Sequence, residues 1–187
     1  MLFTKTTAQH ILSERKLCPR TERIALYWLS LWDGDILPAR AAIHPGDIKD
    51  LLPGLIFFEV VPRRTVTVRM AGTDFCTLLK RELTGADWLQ ATPQPDRATR
   101  LAVFSQVARG AIGFGRWNFS RPWHGMIACE KLLLPLRPEP QLRGVPVLGF
   151  VDWSPVRHGR DRDPVLDAIA PPQILDPAFF PEGGKIC

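Results

Sequence analysis

The chain of 187 residues has a formal charge of +5, with 45% hydrophobic and 23% charged residues. That apolar share is enough for a core and excludes a disordered chain, and the length fits one domain with extensions. The 24 basic residues are scattered among 19 acidic ones with no dense basic run, so the charge reads as a solvated surface rather than a nucleic-acid-binding face.

The cysteines, Cys18, Cys76, Cys129 and Cys187, lie far apart without a C-x-x-C pair, which points to a reducing cytoplasm rather than a disulfide scaffold. The N-terminal MLFTKTTAQHILSERK lacks the apolar stretch of a signal peptide, and no run approaches the ~20 apolar residues of a membrane span. The expectation is a soluble cytoplasmic protein with no membrane association.

Residues 1–20 read as a leader with one helical turn around Ile11 and Leu12. Thr21 offers an N-cap, and Ile24, Tyr27, Trp28 and Leu31 follow at i, i+3, i+4 and i+7, predicting an amphipathic helix that ends near Asp33-Gly34. A connector through Pro38 leads to a short helix over Asp47–Leu52. Leu55–Val61, LIFFEVV, is nearly all apolar, as in a strand covered on both faces. Pro62-Arg63-Arg64 turns the chain into a second strand, where Val66, Val68 and Met70 alternate with Thr65, Thr67 and Arg69. Gly72 breaks that strand, and Phe75, Leu78 and Leu79 mark one face of a helix capped by Thr73. Glu82-Leu83-Thr84-Gly85 ends it, with Gly85 suited to a left-handed turn.

After a loop over Gln90–Pro95, Asp96 caps a helix carrying Leu101, Phe104, Val107 and Ala108, which Gly110 stops. Three strands follow, at Ala111–Phe119, Met126–Leu136 and Val145–Trp153. The domain therefore spans 21–153, and 154–187 is a polar linker and tail with Ile174, Leu175, Phe179 and Phe180 among prolines. Two hairpin strands, helices, then a three-strand meander make an α+β fold: a five-stranded antiparallel sheet with helices on one face and a flanking N-terminal helix.

This element order resembles that of PAS domains. Within that superfamily three patches are similar to a bacterial stand-alone PAS-type family: YWLSLWDGDILPARAAIHPGDIKDLLP at 27–53, VRMAGTDFCTLLKRELTG at 68–85 and EKLLLPL at 130–136. The resemblance implies a non-enzymatic sensory or protein-interaction module, with the first strand beside the last and a small cavity between helices and sheet. Mapped so, Val68, Met70, Phe75, Leu79, Trp88, Phe104, Trp117 and Phe150 line a cavity for a small apolar ligand. Such a ligand would act by population shift, favouring one helix packing and so changing the surface offered to a signalling partner.

Cofactor chemistry finds little support in the residues. Cys76 sits in TDFCTLL, far from the flavin-binding G-x-N-C-R-F-L-Q, and reads as a small core hydrophobe. His44 and His124 lie beside proline or glycine in loops, poor places for a haem ligand, and the histidines His10, His44, His124 and His158 form no i, i+4 metal pair. There is no G-x-S-x-G elbow and no P-loop. Asp74 and Glu82 are a candidate carboxylate pair, with a helix-capping Asp and a surface Glu as the plainer reading. A rival enzyme of cone-shaped α+β fold would need a deep charged pair, for which Arg69 with Asp74 or Glu130 is the candidate. Arg69 itself reads as a surface residue on the alternate strand face, or as a buried group that binds an acidic ligand or fixes a loop.

Tyr27, Trp28, Leu31 and Trp32 are the candidate interface. Trp28 lies on the apolar stripe, while Leu26, Leu29 and Trp32 fall off it, so Trp32 is the candidate exposed contact. A helix apolar on two sides must be covered on both, here by a second copy in a homodimer or by the chain's own tail. No cofactor is expected. Purified protein should show no stoichiometric absorbance above ~400 nm, where flavin and haem absorb and protein aromatics do not; such a band would overturn the expectation.

Overall fold

A computed structural model describes residues 3–79, 82–90, 92, 94–121 and 125–155, apart from the side chains at 78, 117–121, 125–126 and 155. The first helix is α1, Lys5–Ser13. Thr4 caps it, accepting the Thr7 N–H at 3.2 Å, and Ala8 and Leu12, four residues apart, are buried. The helix is therefore longer than the single turn expected there. The following α2, Pro19–Ser30, begins with proline, whose fixed φ suits the first helical position, rather than at Thr21, which is buried. The expected short helix over Asp47–Leu52 is instead two 3-10 turns, Pro45–Ile48 and Leu52–Gly54, each opened by a proline in its first two positions. The remaining elements are β1 (Leu55–Val61), β2 (Thr65–Ala71), α3 (Thr73–Leu79), α4 (Arg97–Val107), β3 (Gly113–Arg121), β4 (Gly125–Pro135) and β5 (Val145–Pro155).

The strands form one sheet in the order β2-β1-β5-β4-β3, and every pairing is antiparallel. The first strand lies beside the last, as expected, with Leu55 opposite Phe150 and Val60 opposite Val145. Alternation along the central strands sends side chains to two separate cores. Ile56, Phe58, Val60, Ile127, Cys129, Leu133, Val147 and Val151 face an inner layer that contains Phe75, Leu79, Val103, Phe104 and Val107 of α3 and α4. Leu55, Phe57, Leu132, Leu134, Leu148 and Phe150 face an outer layer that contains α1 and α2. The continuous apolar runs of β1, β4 and β5 follow from this two-sided cover.

Trp28 is fully buried in the outer layer, and its Nε1–H donates to the Pro135 carbonyl at 3.0 Å. Its ring meets Trp32 edge-on with centroids 5.2 Å apart, and Trp32 in turn meets Phe3 at 5.9 Å. Trp32 is thus a core residue, not an exposed contact: it lies just past the end of α2, where the chain folds its ring between Trp28 and Phe3. Ala8 and Leu12 of α1 join Ile24, Ala25, Trp28, Leu29 and Trp32 in one apolar cluster, so Leu29 and Trp32 are covered with the help of the segment taken as a leader, while Leu26 stays exposed. The tail considered for that role lies outside the described residues. No helix among the described residues is long and apolar enough to cross a membrane.

Docking of α1 has a direct test. Leu12→Ala should destabilise the protein by about 2–3 kcal/mol, as truncations of buried leucine do. Ile36→Ala, at an isoleucine 51% exposed just beyond α2, should stay within about 0.5 kcal/mol of the parent in urea unfolding. Equal effects of the two substitutions would mean that α1 is not part of the core.

Candidate functional site

The inner layer gathers five of the expected cavity residues, Val68, Phe75, Leu79, Trp88 and Phe104, into one buried cluster. Phe58 stands at their centre, 4.7 Å from Phe104 and 5.8 Å from Trp88 between ring centroids, both tilted edge-on. Trp88 is held there by main-chain bonds along the free edge of β2. The Gly85 N–H donates to Val68 O, the Val68 N–H to Ala86 O and the Trp88 N–H to Val66 O, all at 2.7–2.9 Å. Gly85 makes the approach possible at φ +83°, the left-handed turn expected of it. Glu82 accepts the Leu83 and Thr84 N–H groups, which hold its carboxyl below the usual range. It therefore serves its own turn and forms no pair with Asp74.

Met70 and Phe150 do not belong to this cluster; both pack on the outer layer. For Met70 the cause is a bulge in β2. Phe57 pairs with Met70 but Phe58 with Val68, which leaves Arg69 as an extra residue and turns every later side chain to the other face. Phe150 is on the outer face because it pairs with Leu55 and Leu132, both outer residues. Trp117 lies opposite Cys129 in the strand register, and its side chain is outside the described residues. Two cations that the sequence reading missed are enclosed instead. Arg100 of α4 is fully buried, its guanidinium 5.8 Å from the Trp88 ring, and Lys131 is 1% exposed between inward-facing Cys129 and Leu133. The only signal for Lys131 was a charge inside EKLLLPL, at the odd position of an alternating strand.

Arg69 projects from the bulge on the outer face, with its side chain 48% exposed, and binds buried Glu59 through Nε and Nη2. Its carboxylate partner among the described residues is therefore Glu59, rather than Asp74 or Glu130.

Those two carboxylates belong to a charged rim at the end of the sheet. Glu130 is 2% exposed, accepts the Cys18 N–H at 2.8 Å on one oxygen and holds the Arg116 guanidinium on the other. Arg20, in the first turn of α2, donates to Asp152 of β5 at 2.9 Å and to Asp74 of α3 at 3.3 Å, with its guanidinium also 5.6 Å from the Phe150 ring. Burial pushes the Asp152 carboxyl up against the pull of Arg20, with Glu130 and Asp74 adding to the rise. Burial, then Glu130, push the Cys18 thiol up to about 11, so it is protonated at neutral pH and is no thiolate nucleophile. A cleft of about 270 Å³ opens beside these groups, walled by Lys16, Cys18, Arg116, Glu130, Asp152 and Trp153. Of the expected interface residues, Tyr27 and Leu31 are partly exposed, whereas Trp28 and Trp32 are buried within the chain.

A family model described as a PAS domain matches residues 17–152. No curated protein matches the chain. Among solved structures, a light-oxygen-voltage domain studied with a flavin analogue is 16% identical, covering 58% of this chain and 84% of that one with a TM-score of 0.40. The PAS domain of an HTR-like protein from Haloarcula marismortui is 15% identical, covering 58% and 90% with a TM-score of 0.38. The Rhodobacter sphaeroides LOV protein is 11% identical, covering 64% and 71%, also at 0.38.

Arg20→Ala strands two partly buried carboxylates. Discounted for the third of Arg20 that is solvent-exposed, the loss should be roughly 1–2 kcal/mol at neutral pH. Without Arg20 the folded-state Asp152 pKa rises further, so the penalty falls on the ionised form. The deficit should be full above the carboxylate range and fade as pH falls through it. Urea unfolding of both proteins between pH 4 and pH 7 checks this; a deficit that does not depend on pH would show that Arg20 acts by packing alone.

Proposed function

Because the chain belongs to the PAS domain family, we propose that it is a cytoplasmic sensory and interaction module without catalytic chemistry of its own. It takes a small apolar ligand within the inner layer, among Val68, Phe75, Leu79, Trp88 and Phe104, and passes the change to a partner through the charged rim. The observation that carries this reading is Arg20. One guanidinium joins Asp74, on a helix of the inner layer, to Asp152, near the end of β5, while standing on the outer helix α2.

A ligand that favours a different seat for α3 moves Asp74 and so alters the hold of Arg20 on α2 and β5. The ligand acts only through its differential affinity for the two packings. A non-catalytic role is supported by what the charged groups do, since Asp74, Glu130 and Asp152 are each engaged by arginine. The partner surface is the open side of α2 around Leu26, Tyr27 and Leu31, and its simplest occupant is a second copy of the chain.

Two measurements test the scheme. Native mass spectrometry should show a small molecule that is lost on denaturation; bare protein after gentle purification counts against an occupied inner layer. Asp74→Asn weakens the inner link of Arg20 and keeps its shape. Amide exchange in α2 and the end of β5 should then rise by about tenfold, corresponding to roughly 1.4 kcal/mol of lost protection. Exchange confined to α3 would refute the coupling.

A further inference from the structure

A second cleft, of about 370 Å³, lies on the outer face where the bulged end of β2 meets the 3-10 turn Arg40–Ala42 and the loop between β4 and β5. Its walls include Arg40, Arg69 and Arg143, with Phe57, Glu59 and Gln141 between them. Each arginine is brought there by a separate device. The β2 bulge projects Arg69, which buried Glu59 neutralises through bonds of 2.9 Å. Arg40 rests its guanidinium 5.6 Å from the Phe57 ring, a contact that orients it without engaging its hydrogen-bond donors. Arg143 is carried in by Gly144, where a Cβ would lie 2.6 Å from the Val60 carbonyl oxygen and 2.9 Å from Glu59 Cγ, so only glycine lets the loop come this close.

Among the described residues neither Arg40 nor Arg143 forms an ion pair. The other carboxylate beside the cleft is Glu139. It is engaged by the Arg40 main-chain N–H at 3.2 Å and by Gln141 Nε2 at 2.7 Å, not by a guanidinium. Three guanidinium groups thus share the wall with Glu59, which Arg69 binds, and Glu139 stands alongside, so the forks of Arg40 and Arg143 remain to be matched.

We propose that this cleft binds a small organic oxyanion, a phosphate or carboxylate group on a molecule of metabolite size, between Arg40 and Arg143. The planar fork of arginine fits either group through two parallel hydrogen bonds. The volume falls in the roughly 300–1,000 Å³ range of small-molecule sites. The site is on the opposite face of the sheet from the inner layer, so it stands whether or not that layer holds a ligand.

Calorimetric titration of the full chain with pyrophosphate and with citrate, in about 20 mM salt to limit screening, provides the test. At least one probe should bind with submillimolar Kd. Arg143→Ala and Arg40→Ala should each weaken it about tenfold or more, and Arg109→Ala, at an exposed arginine on the other layer, should leave it unchanged. Tighter pyrophosphate assigns a phosphate ligand and tighter citrate a carboxylate one. Melting curves confirm that the variants fold, as expected for two exposed side chains. The proposal fails if neither probe binds below about 10 mM, if the two cleft variants bind like the parent, or if Arg109→Ala weakens binding as much. Binding of hexaglutamate with neither small probe bound would also overturn it, and would assign the cleft to an acidic protein partner.

Discussion

Three adjacent strands, β1, β5 and β4, carry apolar side chains on both faces, and the rest of the fold answers that constraint. Each Leu, Val or Phe hidden from water contributes about 1.5–3 kcal/mol. A sheet covered on one side alone would forfeit half of that gain. Helices α3 and α4 cover the inner face and α1 with α2 the outer one. The same constraint explains why polar groups on these strands occur as matched sets. Glu59 and Glu130 are buried on the outer face and are held by Arg69 and Arg116. Removing Arg116 would leave buried Glu130 with the Cys18 N–H in place of a countercharge, a larger loss than removing Arg69, whose side chain is half in solvent.

Two-sided cover also makes the sheet a partition. A change in the inner layer reaches the outer helices only through the sheet or round its end. In the proposed scheme Arg20 provides the second route, since its two carboxylates belong to different elements, α3 of the inner layer and β5 of the sheet. Coupling of this kind needs an element with two discrete arrangements. The short helix α3 is suited to that role because it contributes few buried side chains, Phe75 and Leu79 among the described ones, to the inner core.

The two clefts have different electrostatic character for a structural reason. At the rim, carboxylates of three elements converge, and burial raises the Asp152 pKa even with Arg20 in place. On the far side of the outer face, a bulge and a close glycine contact bring arginines together around one neutralising Glu59. Local backbone geometry, rather than composition, sets the sign of each.

Much of the fold was legible in the sequence because it rests on short-range pattern. Alternation at Val66 and Val68, the runs LIFFEVV and LLLPL, the stripe Ile24-Tyr27-Trp28 and the turn at Gly85 each report local geometry within a few residues. The resemblance to PAS domains supplied the pairing of the first strand with the last, which no periodicity contains. Tertiary structure decided the rest. The bulge at Arg69 moves Met70 to the other face, and it depends on the partner strand's register rather than on the residues of β2. The helix α1 shows only Ala8, Ile11 and Leu12 as apolar signal, and it becomes part of the core through the α2 residues that it helps to cover. The partners of Arg20 lie 54 and 132 residues away, and a guanidinium in a sequence does not say which carboxylate it will meet. Side-chain periodicity is a property of one segment, whereas charge pairing and facing are properties of two, and only packing brings the second segment into place.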